Sequence, residues 1–152
     1  MRFQLDADLP VPPEDLWPRL LVWEDQARWL KDATWVRVRS AHREGIGTRI
    51  DVKTLLFGVP AFAEPMEVIG WEPPRRLVMR HGKFVKGTGE WLLERPPGGG
   101  DGLSRFTWTE DISLNVPVIG GLAVRIYARF MRHLMRGSLE NLRRFLAEGA
   151  VE

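Results

Sequence analysis

The C-terminal fifth of the sequence is a long amphipathic segment, and it constrains the fold more than any other feature. From about Pro117 to Glu148, charged and apolar residues recur every three or four positions, which predicts one continuous α-helix. One predicted stripe carries Arg125, Arg129, Arg132, Arg136, Glu140 and Arg143. The opposite stripe carries Ala123, Tyr127, Phe130, Met131, Leu134, Ser138, Asn141 and Phe145. Such a helix would be roughly 45 Å long, enough to cross a small domain.

The preceding sequence is dominated by the period-two alternation that is typical of half-buried strands. Arg2 to Leu9 alternates strictly, and Pro12–Asp15 then opens a short helix, with a second short helix expected around Glu24 to Leu30. Six further strands are predicted at about 34–39, 49–54, 61–71, 76–81, 87–94 and 103–113. Short turns rich in glycine and proline separate these strands, which predicts an antiparallel meander.

Four local motifs, taken in this order, resemble a known family. They are Val11–Trp17, Glu44–Arg49, Trp71–Leu77 and the paired segments Gly89–Glu94 and Leu103–Trp108. Together they are similar to the START-related helix-grip (SRPBCC) superfamily, polyketide cyclase/dehydrase type. The resemblance implies an α+β helix-grip fold in a single domain of residues 1–152. A seven-stranded antiparallel sheet would wrap around the long C-terminal helix, with two short helices after strand 1.

Composition limits which kinds of partner and binding site the protein can have. The 22 basic and 20 acidic residues give a net charge of only +2, and the arginines are mixed with acids, so we expect no nucleic-acid partner. The 152 residues contain no cysteine, which excludes disulfides and thiolate metal sites. No apolar run approaches the ~18 residues of a membrane span. We therefore expect a cytoplasmic protein without stable membrane insertion, and a homodimer is left open.

In a helix-grip fold, inward strand positions and the apolar stripe of the helix would line a cavity. The residues predicted to contact a ligand there are Phe62, Met66, Met79, Trp91, Phe106, Trp108, Tyr127, Phe130, Met131, Leu134 and Asn141. An ordinary filled core would show the same pattern, and the sequence does not separate the two.

Three polar residues are candidates for chemistry in that cavity. Glu110 shares a strand face with Phe106 and Trp108, so its carboxylate could act as a general acid or base or hold a ligand hydroxyl. His81 follows Met79 on one face and could move a proton, although a strand-end histidine beside a turn is the plainer interpretation. Tyr127 combines apolar surface with one hydroxyl. Three scattered histidines do not indicate a metal site, and no cofactor is expected.

Three functions fit these features. The first is binding or transport of a small hydrophobic molecule, and the resemblance implies a lipid, a quinone or an aromatic polyketide-like compound. The second is an enzyme of the cyclase or dehydratase kind, using Glu110, His81 and Tyr127. The third is a protein-interaction module with an exposed apolar patch near Trp23, Trp29 or the segment 55–59. Two unusually apolar connections, residues 55–60 and 114–121, are further predicted to form a lid over the cavity entrance.

Overall fold

The alternating segments form one sheet of seven strands in the computed structural model, which describes residues 1–56, 58–114 and 120–149. The strands are β1 (Arg2–Leu9), β2 (Ala33–Val38), β3 (Arg49–Leu56), β4 (Val59–Glu72), β5 (Arg76–His81), β6 (Val85–Glu94) and β7 (Ser104–Leu114). Helix α1 (Pro13–Leu20) and a 3₁₀ helix (Trp23–Arg28) connect β1 to β2. Helix α2 (Gly121–Gly149) follows β7.

Every neighbouring pair of strands is antiparallel, and the spatial order is β1-β7-β6-β5-β4-β3-β2. Strands β2 to β7 form a meander, and β1 completes the sheet by pairing with the last strand, where Leu5 lies opposite Trp108. The α1 and 3₁₀ segment therefore has to connect the two edges of the sheet.

The two faces of the sheet differ in the way that alternation requires. One face buries apolar side chains from the central strands, among them Ile50, Val68, Leu77, Met79, Leu93, Phe106, Trp108 and Ile112. The other face carries ion pairs across neighbouring strands, such as Arg76 with Glu90 at 2.9 Å. Exposed pairs of this kind contribute little stability, roughly 0–1 kcal/mol each. The buried face is therefore what holds the fold together.

Helix α2 has two halves with different packing. Its C-terminal half is buried at Met135, Ser138, Leu139, Leu142 and Leu146. Its N-terminal half is exposed or half-buried on every side: Leu122 is 73% exposed and Ile126 is 53% exposed. The helix therefore closes the core with one half only, and the other half spans a space above the sheet.

Polar contacts fix the buried half of α2 to the segment between β1 and β2. The Ser138 hydroxyl accepts a hydrogen bond from the backbone N–H of Lys31 at 3.0 Å. The Arg19 guanidinium donates to the carbonyls of Phe145 and Leu146, each at 3.3 Å. Carbonyls in the last turn of a helix have no partner within the helix, so Arg19 satisfies groups that would otherwise need water.

The predicted architecture is confirmed, with local differences. The second short helix is 3₁₀ rather than α and ends at Arg28, and β4, β6 and β7 are shifted or extended by one or two residues relative to the predicted bounds. The predicted start of the long helix at Pro117 lies outside the described residues. Among the residues that are described, no helix is long and apolar enough to cross a membrane.

One expectation about the surface is wrong. Trp23 and Trp29 are 0% and 1% exposed, because both rings pack into the core instead of forming an interaction patch. The indole N–H of Trp23 donates to the carbonyl of Arg43 at 2.9 Å, which satisfies its one polar atom. These tryptophans therefore stabilise the domain and are not available to a partner protein.

The division of α2 predicts a sharp contrast between two leucines of the same helix. Leu142 is fully buried and Leu122 is largely exposed. Leu142→Ala should lower the free energy of unfolding by about 2–5 kcal/mol, because it leaves a cavity in a packed core. The matched control, Leu122→Ala, should change it by less than about 0.5 kcal/mol. Chemical denaturation measures both, and equal losses would contradict the assignment of the two halves.

Candidate functional site

The space under the N-terminal half of α2 is a cavity of about 570 Å³. Its floor is the buried face of β3 to β7, and its roof is the segment from Ala123 to Leu134. The lining is predominantly apolar. Ile126 lines the cavity and is also exposed, so the cavity reaches the surface beside the first turns of α2.

Most of the residues predicted to contact a ligand do line this cavity. They are Phe62, Met66, Met79, Trp91, Trp108, Tyr127, Phe130, Met131 and Leu134. Phe106 does not line it, because its ring is fully buried against Trp91, with 5.7 Å between ring centroids. Asn141 does not line it either: it lies on the buried half of α2, where its side-chain amide donates to the carbonyl of Trp29 at 3.4 Å.

Aromatic rings form two parts of the wall. Trp91 and Trp108 meet edge to face at 6.5 Å on the floor, and the buried Trp29 packs 5.5 Å from Trp91. Phe62 and Phe84 lie 4.3 Å apart on the adjacent hairpins. Aromatic side chains offer large apolar area with few rotatable bonds, so these walls are comparatively rigid.

A hydrogen-bonded group of three side chains interrupts the apolar floor. The Glu110 carboxylate is only 6% exposed, and each of its oxygens has a partner. Oε1 accepts from the indole N–H of Trp108 at 2.8 Å, and Oε2 lies 3.0 Å from Nε2 of His81. Gly89, opposite Glu110 on β6, gives the carboxylate its space, since a β-carbon there would lie 2.7 Å from Oε1.

The histidine of this group is held in one orientation. Nε2 faces the Glu110 carboxylate, and Nδ1 is buried with no hydrogen-bond partner among the described residues. A carboxylate that fixes one ring nitrogen defines what the other nitrogen can do. His81 and Glu110 are therefore brought together in the cavity lining, while His81 is also the partly exposed last residue of β5, beside Gly82, as the plainer interpretation had it.

Asp32 is the ionisable lining residue that the sequence gave no reason to select. The residue as a whole is partly exposed between the 3₁₀ helix and β2, but its carboxyl group is buried in the lining of the cavity. Burial, the largest cause, together with the charge of Glu110 raises its pKa to about 6, against the opposing effects of a backbone N–H and of His81. Asp32, Glu110 and His81 therefore line one cavity and influence one another electrostatically.

Tyr127 faces the same acidic groups from the roof. Burial, then the charges of Asp32 and Glu110, raise the pKa of its phenol to about 12, so the hydroxyl stays protonated. Within the described part of the chain, this hydroxyl donates one weak hydrogen bond, to the sulfur of Met131 at 3.9 Å. The hydroxyl is therefore available as a hydrogen-bond donor inside the cavity.

Glu64 lines the cavity but has a structural task. Its buried carboxylate accepts hydrogen bonds from four backbone N–H groups, those of residues 82–85, at 2.9–3.2 Å. These groups form the turn between β5 and β6, where the strand ladder ends. Glu64 therefore braces that turn, which explains why a charged residue is tolerated at this depth.

The other two histidines of the chain lie at the surface. His42 and His133 are exposed, and no group of three metal-ligating side chains occurs among the described residues.

Of the two predicted lid segments, Phe57 and residues 115–119 lie outside the described residues. Leu55 lines the cavity, and Val59 is 64% exposed at the β3–β4 turn. The lid stays a prediction.

The buried Asp32 carboxyl predicts a pH dependence of stability. Between its unfolded pKa near 4 and its folded pKa of about 6, the folded chain keeps a proton that the unfolded chain releases. Stability from this group is therefore complete below about pH 4 and is lost as the pH rises through 6, by at most about 3 kcal/mol. Relative to wild type, Asp32→Asn should gain about that much between pH 4 and pH 7.5.

Denaturation at the two pH values measures this gain. Asp111→Asn, which removes an exposed carboxylate from β7, is the matched control and should follow the wild-type curve. Parallel curves for Asp32→Asn and wild type would contradict a buried Asp32.

Comparisons with known proteins agree with this architecture. The protein TTHA0849 of Thermus thermophilus is similar over 98% of this chain and 99% of its own, at 20% identity with a TM-score of 0.79. An aromatase/cyclase of a Streptomyces species is similar over 100% and 96%, at 14% identity with a TM-score of 0.76. A START superfamily protein of Mycobacterium smegmatis is similar over 95% and 98%, at 13% identity with a TM-score of 0.71. Identities this low establish a common fold only.

The family comparison covers almost the whole chain. A comparison with curated proteins finds no match. The family model described as polyketide cyclase/dehydrase and lipid transport matches residues 1–147, which include every strand and nearly all of α2. Together with the seven-stranded sheet, the long C-terminal helix and the apolar cavity between them, this match means that the chain belongs to the polyketide cyclase/dehydrase and lipid transport family.

Proposed function

We propose that this protein binds a small hydrophobic molecule in the cavity between its sheet and α2. The observation that carries the proposal is the cavity itself. Its volume of about 570 Å³ lies in the range of small-molecule pockets, roughly 300–1,000 Å³, and its wall is apolar and aromatic with a few polar groups at one end. A core that only stabilised the fold would fill this space, because empty apolar volume costs stability.

The relatives support this class of function and give it candidates. The family description names both lipid transport and polyketide chemistry, and one structural neighbour is named an aromatase/cyclase. A lipid, a quinone or an aromatic polyketide-like molecule would each fit an apolar wall that includes several aromatic rings. The polar groups are few enough to orient such a molecule without surrounding it.

One observation favours a second function, catalysis of proton transfer on the bound molecule. The 3.0 Å contact between His81 and Glu110 is the arrangement by which a carboxylate orients a general base. Asp32 and Tyr127 supply further proton-bearing groups at the same end of the cavity. A cyclase or dehydratase needs groups of this kind, so an enzyme built on His81, Glu110 and Tyr127 is the alternative.

A substitution that fills the cavity should test the binding proposal. Leu134 lies on the cavity side of α2 and is half-buried. Leu134→Trp should place an indole in the space and weaken binding of apolar ligands at least about tenfold, or about 1.4 kcal/mol. Native mass spectrometry after gentle purification, followed by thermal shifts against lipids and quinones, would measure this.

The matched control is Arg129→Trp, which adds the same ring on the exposed side of α2. It should bind as wild type does. The proposal fails if wild type binds nothing across the panel, or if the two tryptophan variants bind equally well.

The catalytic alternative predicts proton exchange on a bound probe. An apolar β-diketone has an acidic C–H group, so a base in the cavity should speed its exchange with deuterated water. His81→Gln should reduce the enhancement by about 10²-fold or more, the usual size of general-base effects. NMR follows the exchange, with His133→Gln, an exposed histidine, as the control. Equal rates for all three proteins would exclude His81 as the base.

A further inference from the structure

The charges around the cavity are of one sign. The lining contains three carboxyl groups, Asp32, Glu64 and Glu110, and one histidine, His81. Neither lysine nor arginine occurs among the described lining residues, although the chain as a whole has a net charge of +2. An apolar cavity with acidic groups and no permanent cation is a poor host for an anion.

The three carboxyl groups are not equivalent. Four backbone N–H groups of residues 82–85 hold Glu64, and Trp108 and His81 occupy both oxygens of Glu110. The Asp32 carboxyl has no hydrogen bond to another side chain and no ion-pair partner within the described part of the chain, although it lines the cavity. Asp32 is therefore the carboxyl group with acceptor capacity left for a ligand.

His81 does not give the cavity a free positive charge that could bind an anionic ligand. Its Nε2 lies 3.0 Å from the Glu110 carboxylate, so the imidazole is paired within the protein and adds no unpaired positive charge to the cavity. The Tyr127 hydroxyl also lines the cavity; it is neutral, and its hydrogen bond to the sulfur of Met131 is weak at 3.9 Å. The polar end of the cavity therefore presents an acidic acceptor and a neutral hydroxyl.

We propose that Asp32 makes the cavity selective for uncharged apolar ligands that carry a hydroxyl group, and that it excludes carboxylates and phosphates. The ligand hydroxyl would donate to the Asp32 carboxylate, and its oxygen could accept from Tyr127. A ligand carboxylate in the same place would meet a like charge in a cavity of low polarity, where such repulsion is strong. This inference rests on the proposed binding function and names the chemical class of the ligand.

The test compares small ligands that share an apolar skeleton and differ only in their polar group. Naphthol, methoxynaphthalene and naphthoate differ in a donor and in a charge, and decanol with decanoate repeats the comparison on a flexible chain. At neutral pH, wild type should bind naphthol and decanol at least about tenfold more tightly than naphthoate and decanoate. Methoxynaphthalene, which lacks the donor, should bind more weakly than naphthol. Fluorescence titration and calorimetry measure these constants.

The Asp32→Asn variant, which keeps the shape of the side chain, should lose most of the discrimination against naphthoate. Asp111→Asn, on the exposed face of β7, should discriminate as wild type does, which separates a local effect from a change in net charge. The proposal is overturned if wild type binds naphthoate as tightly as naphthol, or if Asp32→Asn keeps the full preference. If none of the five probes binds, including the uncharged ones, the proposed function itself fails. Circular dichroism of both variants shows that they are folded, and the wild-type series tests the selectivity independently of them.

Discussion

The rest of the structure depends on how the C-terminal half of α2 is anchored. Leu142 and Leu146 are buried, the Ser138 hydroxyl accepts from Lys31, and Arg19 donates to the carbonyls of the last turns. These contacts position a rigid rod whose other half needs no packing to stay above the sheet, since an α-helix satisfies its own backbone hydrogen bonds. The cavity lies under the half of the helix that has no fully buried residue.

The anchoring also explains why the polar groups lie where they do. Asp32 follows Lys31, whose backbone is bonded to α2, and it therefore lies beside the floor of the cavity, near Glu110 and His81. Bringing carboxyl groups together in an apolar space opposes folding, because each loses hydration and they repel one another. The buried contacts of the C-terminal half of α2 contribute free energy of folding that offsets this cost. Binding and catalytic sites commonly hold ionisable groups whose pKa values are shifted by burial and by neighbouring charges, and a well-packed core keeps such groups in place.

The sequence predicted the fold well because its signals are local. Strict alternation in residues 2–9, the turn at Pro73-Pro74 and the period of the last helix each depend on neighbouring residues, and together they leave one topology. It predicted most of the lining for the same reason, since alternate positions of a strand share a face. Phe106 shows the limit of that rule: it shares a face with Trp108, yet Trp91 packs over it. Asp32 shows a second limit, because Lys31-Asp32 between a helix and a strand resembles a solvated turn. Its place in the cavity lining depends on tertiary contacts, those of Lys31 with Ser138 and of the Asp32 carbonyl with the backbone N–H of Leu55.

The two halves of α2 let stability and binding change separately along one element. A substitution at Leu142 acts on the core, whereas a substitution at Tyr127 or Leu134 acts on the roof of the cavity, where the side chains are only half-buried. The same separation holds on the sheet, since Glu64 fixes a turn while Glu110, on the same buried face, holds a histidine. Residues of the roof can therefore be exchanged to suit different ligands at little cost to folding. The family description, which names both polyketide chemistry and lipid transport, agrees with a fold whose cavity roof can vary while its packed core stays the same.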